Sequence, residues 1–319
     1  SSEMSLKMVI EAYELLDDAR VCGQDVVDFV LSQAKGPIDV ETCVQTAHGA
    51  KGQTDFVKFL IPGTHGKSSG GTAPTLGIVG RLGGIGARPK LIGLTSDGDG
   101  ALSAVAVAAK LVRMADRGDR LAGDIIVTTH ICPNAPTRPH EPVPFMDSPV
   151  TSAECNTFEV DERMDAILCI DTTKGNRIIN KRGFAISPTV KAGWILRTSE
   201  DLLSIMQTTT GELPAVFALT MQDITPYGND IYHLNSILQP SVATDAPCVG
   251  VAITTCTQVA GCATGATHAV DLDEVVRFCI EVAKYYGDGK CSFYDEAEFE
   301  SLTAKYGEMT HLQTMGRKA

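Results

Sequence analysis

The chain has 319 residues, enough for one large domain or two modest ones with ample core, and its make-up (44% hydrophobic, 6% aromatic) predicts an aliphatic, alanine-rich interior. A formal charge of −12 and an isoelectric point near 5.0 exclude the basic face that a nucleic-acid partner requires. No apolar run approaches the ~18 residues of a membrane span, and the start, Ser1-Ser-Glu-Met4, lacks a signal-peptide pattern, so a cytoplasmic protein is expected.

In chain order, residues 4–18 carry an amphipathic helical pattern and 23–33 a second. Residues 39–46 and 55–61 read as strands, joined as a hairpin across Gly49-Ala-Lys-Gly52. A glycine-rich loop, Pro62 to Pro74, leads to a short buried strand at 75–79. From Lys90 to His140 short apolar runs bracket a long helical one: a strand leads to Asp97-Gly98-Asp99-Gly100, then to the helix 101–114, then to the strand 124–130. That order is a β-α-β signature, with Ala101, Ala104, Val105, Ala108, Leu111 and Val112 on one buried face. Residues 133–147 hold five prolines and read as an extended loop. Further strands are expected at 165–171, within 184–196, at 214–219 and at 248–254. Helices are expected from the N-cap Ser199 to about 209, over 272–286 behind Asp271, and over 295–306. Ten cysteines, scattered and without a Cys-x-x-Cys pair, fit reduced, buried thiols better than a disulfide framework.

The alternation of strand and helix predicts an α/β fold with a mainly parallel mixed sheet in three layers, α/β/α. One domain over 1–319 is expected: N-terminal helices at 1–35, the core at 36–290, and a C-terminal helix and tail at 291–319. A homo-oligomer is expected.

In an open parallel sheet ligands gather outside the carboxyl ends of the strands. Residues able to hold a metal end successive strands here: Asp97, then His130 with Cys132, then Asp171, with His268 in a loop after another. Mixtures of carboxylate and imidazole hold divalent ions such as zinc. Each residue alone also fits a plain structural role: Asp97 or His268 at a helix start, His130 as a satisfied buried histidine, Asp171 bonding loop amides. The loop Gly63-Thr-His65-Gly-Lys67-Ser68-Ser69 is similar to the ATP loop of Mur-type ligases. However, Gly70-Gly71-Thr-Ala-Pro74 breaks the helix that a phosphate loop must open. ATP binding is therefore not expected, and a Mur-type ligase is a minor alternative.

Asp97 before a helix, a strand ending near His130, a strand ending in Asp171-Thr-Thr, and His268 before Val-Asp-Leu-Asp resemble the dinuclear zinc aminopeptidases of the glutamyl-aminopeptidase and cellulase-M type. The resemblance implies a zinc-exopeptidase-like fold over residues 75–285 and a hydrolase whose metal is held by Asp97, Asp171 and His268, with His130 or Cys132 completing the shell. The chain departs from that family where its His-x-Asp would fall on Arg81-Leu-Gly83 and its Glu-Glu pair near His130 to Cys132. His130, His140 and Glu141 are then the candidates for proton transfer. Arg81, Lys67 and His65 are candidates to hold a small-molecule or peptide-like substrate.

Nearly end to end, the chain also resembles a family of uncharacterised prokaryotic proteins, domain of unknown function 1177. Gly80-Arg-Leu-Gly-Gly-Ile-Gly86, Thr129-His-Ile-Cys-Pro-Asn-Ala-Pro136, Asp171-Thr-Thr-Lys-Gly-Asn176 and Asp223-Ile-Thr-Pro-Tyr-Gly-Asn229 carry that resemblance, which brings no activity with it. The expected function is a metal-dependent hydrolase of an amide or peptide-like small molecule. The alternative is a non-catalytic small-molecule binding protein on a decayed peptidase fold.

Overall fold

A computed structural model describes residues 2–81, 93–135, 137–138, 145–233, 235–258 and 265–313. The elements are α1 (Ser2–Leu16), α2 (Gly23–Leu31), β1 (Glu41–Gly49), β2 (Gly52–Ile61), β3 (Leu76–Gly80), α3 (Asp99–Asp116), β4 (Ile125–Ile131), β5 (Thr137–Arg138) and β6 (Phe145–Met146). The chain continues through α4 (Ser152–Glu159), β7 (Ala166–Thr172), β8 (Gly183–Ile186), β9 (Val190–Lys191), β10 (Trp194–Ile195), α5 (Glu200–Thr210), β11 (Cys248–Thr254), α6 (Ala269–Gly287) and α7 (Glu296–Tyr306).

Nine strands form one mixed sheet in the order β1-β2-β4-β3-β7-β11-β9-β10, with β8 also paired to β11. The middle is parallel: β3 pairs with β4 and β7, and β7 with β11. The flanks are antiparallel, β1–β2–β4 on one side and β8, β9 and β10 on the other. The α/β class and the parallel centre are thus as expected, and the antiparallel flanks make the sheet mixed.

The parallel strands are short and apolar on both faces because both faces are covered. On one face Leu76, Ile78, Val127, Leu168, Ile170, Val249 and Val251 pack against helices α1, α3 and α6 in the main core. Helix α3 is its centre: fifteen of its eighteen residues are buried, as a run of small and aliphatic side chains allows. On the other face Val79, Ile126, Ile167, Cys169, Cys248 and Ala252 meet a second core. Among the described residues α4 is the one α-helix on that face; 3₁₀ turns at Met221–Ile224 and Gln239–Ala243 and irregular segments complete the layer. Ser199 accepts from Leu202 N as the expected cap of α5. The strand expected at 214–219 is reduced to a single bridge, Val216 to Ile186, because Pro214 has no N–H to extend a ladder.

The chain runs from β3 through α3 to β4 on one side, then crosses back to β7 on the other side of β3. The strand order therefore reverses beside β3, and the crevice outside the carboxyl ends of β3 and β7 is the switch point where such sheets bind ligands. Helix α3 starts directly on this crevice because Gly100 lets it: a Cβ there would lie 2.4 Å from Arg81 O and 2.6 Å from Ile170 O. No helix among the described residues is long and apolar enough to cross a membrane.

Candidate active site

Register brings three chemically active side chains into one row. Val79 pairs with Thr128 and Gly80 with Ile170, and Arg81 N donates to Ile170 O, so Arg81 lies level with His130 on β4 and Asp171 on β7. Period-two alternation turns all three to the α4 face, away from α3. Arg81 is buried, and so are His130 and Asp171.

Helix α4 supplies the cover. It starts at Thr151, which accepts from Glu154 N while Glu154 reaches back to Thr151 N, a capping box. Its last turn places Glu159, wholly buried, over β4: Thr128 Oγ1 donates to Glu159 O at 2.8 Å, and His130 Nδ1 lies 3.2 Å from Glu159 Oε1. Arg81 Nε stands 3.6 Å from the same oxygen, and Arg81 Nη2 donates to Asn156 Oδ1. Phe56 meets the His130 ring edge-on at 5.8 Å between centroids and belongs with Val150 and Cys155 to a small apolar cluster. The ring of His130 is therefore fixed by an acid on one side and an aromatic on another.

His130, Cys155 and Glu159 each offer a ligand atom within 4.8 Å of the others, so this buried cluster can hold a metal ion. Among the described residues it is the one group of three or more such donors. Burial, then Glu159, pushes the Cys155 thiol up to about 12. Glu159 Oε2 and Arg81 Nε are buried without hydrogen-bond partners. A buried carboxylate oxygen left alone costs about 1–3 kcal/mol or more, so these atoms mark a place where a ligand would be gained.

Across the crevice lie three more buried acids. Asp97, in the 3₁₀ turn Ser96–Gly98, and Asp99, the first residue of α3, sit above the strand ends. Asp171 accepts from Thr172 N at 2.7 Å and from Ser236 Oγ at 3.4 Å. Burial, with Asp97 adding, pushes Asp171 up to about 7. Burial pushes Asp99 up to about 8 against the opposing hydrogen bond from Thr267 and the charge of Lys174.

The structure thus gathers some of the residues expected from sequence and separates others. Arg81, His130 and Asp171 share one row, and Asp97 is within electrostatic reach of Asp171. Cys132 is buried with its thiol facing Gln53 O at 3.5 Å, outside the three-donor group. His268 caps α6, half exposed, with Nδ1 3.8 Å from Asp271 Oδ2. His65 and Lys67 lie at the opposite, amino end of the parallel strands. Their loop is tied to Asp124, just before β4, by Gly63 N, Ser68 N and Ser68 Oγ, and Lys67 pairs with Asp165 before β7. Residues 67–69 form one 3₁₀ turn ending in left-handed Gly70 (φ 81°), not the α-helix a phosphate loop needs. His140 and Glu141 lie outside the described residues. Glu159, Cys155 and Asn156 were not singled out from sequence; the Thr151-x-x-Glu154 capping box is the one local signal that announces their helix.

A family model matches residues 45–316, from β1 to beyond α7. The chain belongs to the family of proteins of unknown function DUF1177. The match takes in every element that builds the crevice and leaves out α1 and α2. No curated protein matches the chain.

Proposed function

We propose that this protein is a metal-dependent hydrolase of an amide or peptide-like small molecule, working in the crevice at the carboxyl ends of β3, β4 and β7. The observation that supports it most is the buried meeting of His130, Cys155 and Glu159 beside the switch point. Imidazole nitrogen, thiolate sulfur and carboxylate oxygen together form a donor set suited to zinc. The unpartnered Glu159 Oε2 is the atom that gains most from an ion. A bound divalent ion supplies Lewis acidity and a water of lowered pKa. The chain's own residues set the frame. Arg81 and Asn156 hold the α4 side of the site, Phe56 and Glu159 fix the His130 ring, and Asp97 and Asp171 form an acidic opposite wall. The metal-dependent chemistry expected from sequence is kept, with the ion moved from Asp97, Asp171 and His268 to a different ligand set.

The test is cobalt substitution. Cobalt(II)-loaded protein is expected to show a thiolate-to-cobalt absorption band that Cys155→Ser abolishes and Asp171→Asn leaves in place. Metal content that stays far below one equivalent after zinc addition would remove the hydrolase reading. That result would favour the second reading, a non-catalytic small-molecule binding protein. A specific contact supports this alternative: the Arg81 guanidinium, 3.6 Å from Glu159, already places a cation against the carboxylate.

A further inference from the structure

The sheet ends in two very different edges. At one end β10 is two residues long, Trp194 Nε1 donates to Gly307 O, and a Cβ on Gly193 would lie 2.3 Å from Met309 O. That edge is short and covered. Beyond β8 the chain adds a single bridge at Val216, behind Pro214. At the other end β1 runs for nine residues, Glu41 to Gly49, in unbroken register with β2 and without a bulge. Its outer side pairs with no strand among the described residues, and seven of its nine residues are exposed. A row of backbone donors and acceptors about 30 Å long therefore faces outward.

An open edge is ordinarily guarded by charged side chains, proline, a bulge or a cover, and the middle of β1 has none of these. The run Thr42-Cys-Val-Gln-Thr-Ala47 is uncharged in a chain of which 21% is charged, and it contains neither proline nor glycine. Such a run, left bare, is a site of aggregation. Depletion of charge on an exposed surface is also the compositional mark of an interface core. Both faces of the hairpin already have support: a Cβ on Gly23 of α2 would lie 2.7 Å from Val44 on one, and Ala47 packs with Phe56 on the other. What lacks a partner is the edge.

A strand of this same chain answers it. Two copies of β1 set antiparallel about a twofold axis are self-complementary, each donor of one facing an acceptor of the other. Only a ladder centred on Gln45 pairs all nine residues, with Val44 opposite Thr46 and Thr42 opposite His48 of the second copy. Glu41, the one acid of the strand, then lies opposite Gly49, beside the Lys51 turn of the second hairpin. The two Glu41 carboxylates sit eight positions apart, about 27 Å and well beyond a Debye length. The net charge of −12 thus sets no like charges against each other along the ladder.

We infer that β1 is a dimerisation edge, through which two copies join their nine-stranded sheets into one. A strand edge is narrower than the ~800 Å² per partner of a standard stable complex, so the dimer dissociates in the micromolar range.

The experiment is sedimentation equilibrium of the whole protein from ~1 to ~100 μM, where a monomer–dimer equilibrium is expected. Gln45→Lys sets two ammonium groups face to face on the axis and should weaken the dimer about 5-fold or more. It should leave the far-UV circular dichroism unchanged, because position 45 is exposed. In a Cys43→Ser background, Gln45→Cys should form an intermolecular disulfide in air, since residues opposite on a ladder hold their Cβ atoms about 5 Å apart. His48→Cys in the same background should not, because its own mate lies six positions away. A monomer at ~100 μM, a dimer indifferent to Gln45→Lys, or crosslinking by His48→Cys as readily as by Gln45→Cys would overturn the inference.

Discussion

At the amino ends of β4 and β7 the carboxylates of Asp124 and Asp165 find partners inside the protein; at the carboxyl ends of the parallel strands several buried polar atoms find none. Asp124, buried before β4, accepts three hydrogen bonds of 2.8–2.9 Å from the glycine-rich loop, and Asp165 accepts from Thr75 N and Lys67. A cleft of about 920 Å³ opens at that end, lined by Asp165, Lys191, Asp245 and Tyr286. None of the buried, unpartnered polar atoms among the described residues belongs to that cleft or that loop. At the carboxyl ends Arg81 Nε, Ser96 Oγ, Glu159 Oε2 and Thr254 Oγ1 are all buried and alone. Folding alone explains the first end, since Asp124 and Asp165 are both held by partners there. It does not explain the second, where the chain retains groups whose burial opposes folding. Unsatisfied polar atoms, rather than open volume, separate the two ends.

The largest expected effect comes from breaking the Arg81–Glu159 pair. Arg81→Met leaves a fully buried carboxylate without its cation and should lower unfolding free energy by about 3–5 kcal/mol in urea. Arg81→Met combined with Glu159→Gln should recover most of that loss, because the cost lies in the stranded charge and not in the missing contact. If the double variant is as unstable as the single one, the carboxyl-end network is ordinary packing and the contrast between the ends fails.

The sequence was most legible where the signal is local. Helix α3 and β11 were readable because long apolar runs bounded by Asp99 and by Pro247 or Thr255 leave few alternatives. Although Asp97, expected at a strand end, lies in the 3₁₀ turn Ser96–Gly98 ahead of α3, His130 and Asp171 were readable because an acid or imidazole that closes an apolar strand stands out. Helix α4 was not. Its eight residues hold little hydrophobic pattern, and Glu159 reads as one more surface acid beside Asp161 and Glu162 until the crossover from β4 to β7 lays it over His130. His268 shows the converse. A histidine before a core helix matched the peptidase order, yet the backbone spends it as the N-cap position of α6, beside Asp271 of its own helix. Chain order predicts which strand end a residue occupies; the face it points to and the partner it meets come from the crossover.

A smaller, pH-dependent effect is expected at Asp171. Its folded carboxyl is held at about 7, whereas a free aspartate titrates near ~3.9. The folded protein keeps this proton up to neutrality while the unfolded chain releases it from about pH 4. The group therefore favours the folded state at low pH, and that contribution is lost as pH rises from ~4 through 7. Asp171→Asn should flatten this slope and make the protein more stable than wild type at pH 8, by roughly 1–3 kcal/mol. Identical slopes in wild type and variant would show that Asp171 is not under this strain.

The smallest effect is expected at the amino end, at Lys67. Its ammonium meets Asp165 at 2.8 Å, but the two side chains are 52% and 35% exposed, so water screens the pair and its worth is about 0–1 kcal/mol. Asp165 also accepts from Thr75 N at 2.8 Å and remains anchored without the lysine. Lys67→Ala should therefore change urea stability by less than ~1 kcal/mol. It should leave zinc uptake unchanged, because β3 and β4 carry their full length between Lys67 and the crevice. Mg-ATP should give no heat with either protein, since the single 3₁₀ turn at 67–69 offers no helix N-terminus to a phosphate. Loss of zinc uptake in Lys67→Ala would place function at the amino end, and the distinction between matched and unmatched ends would no longer locate the site.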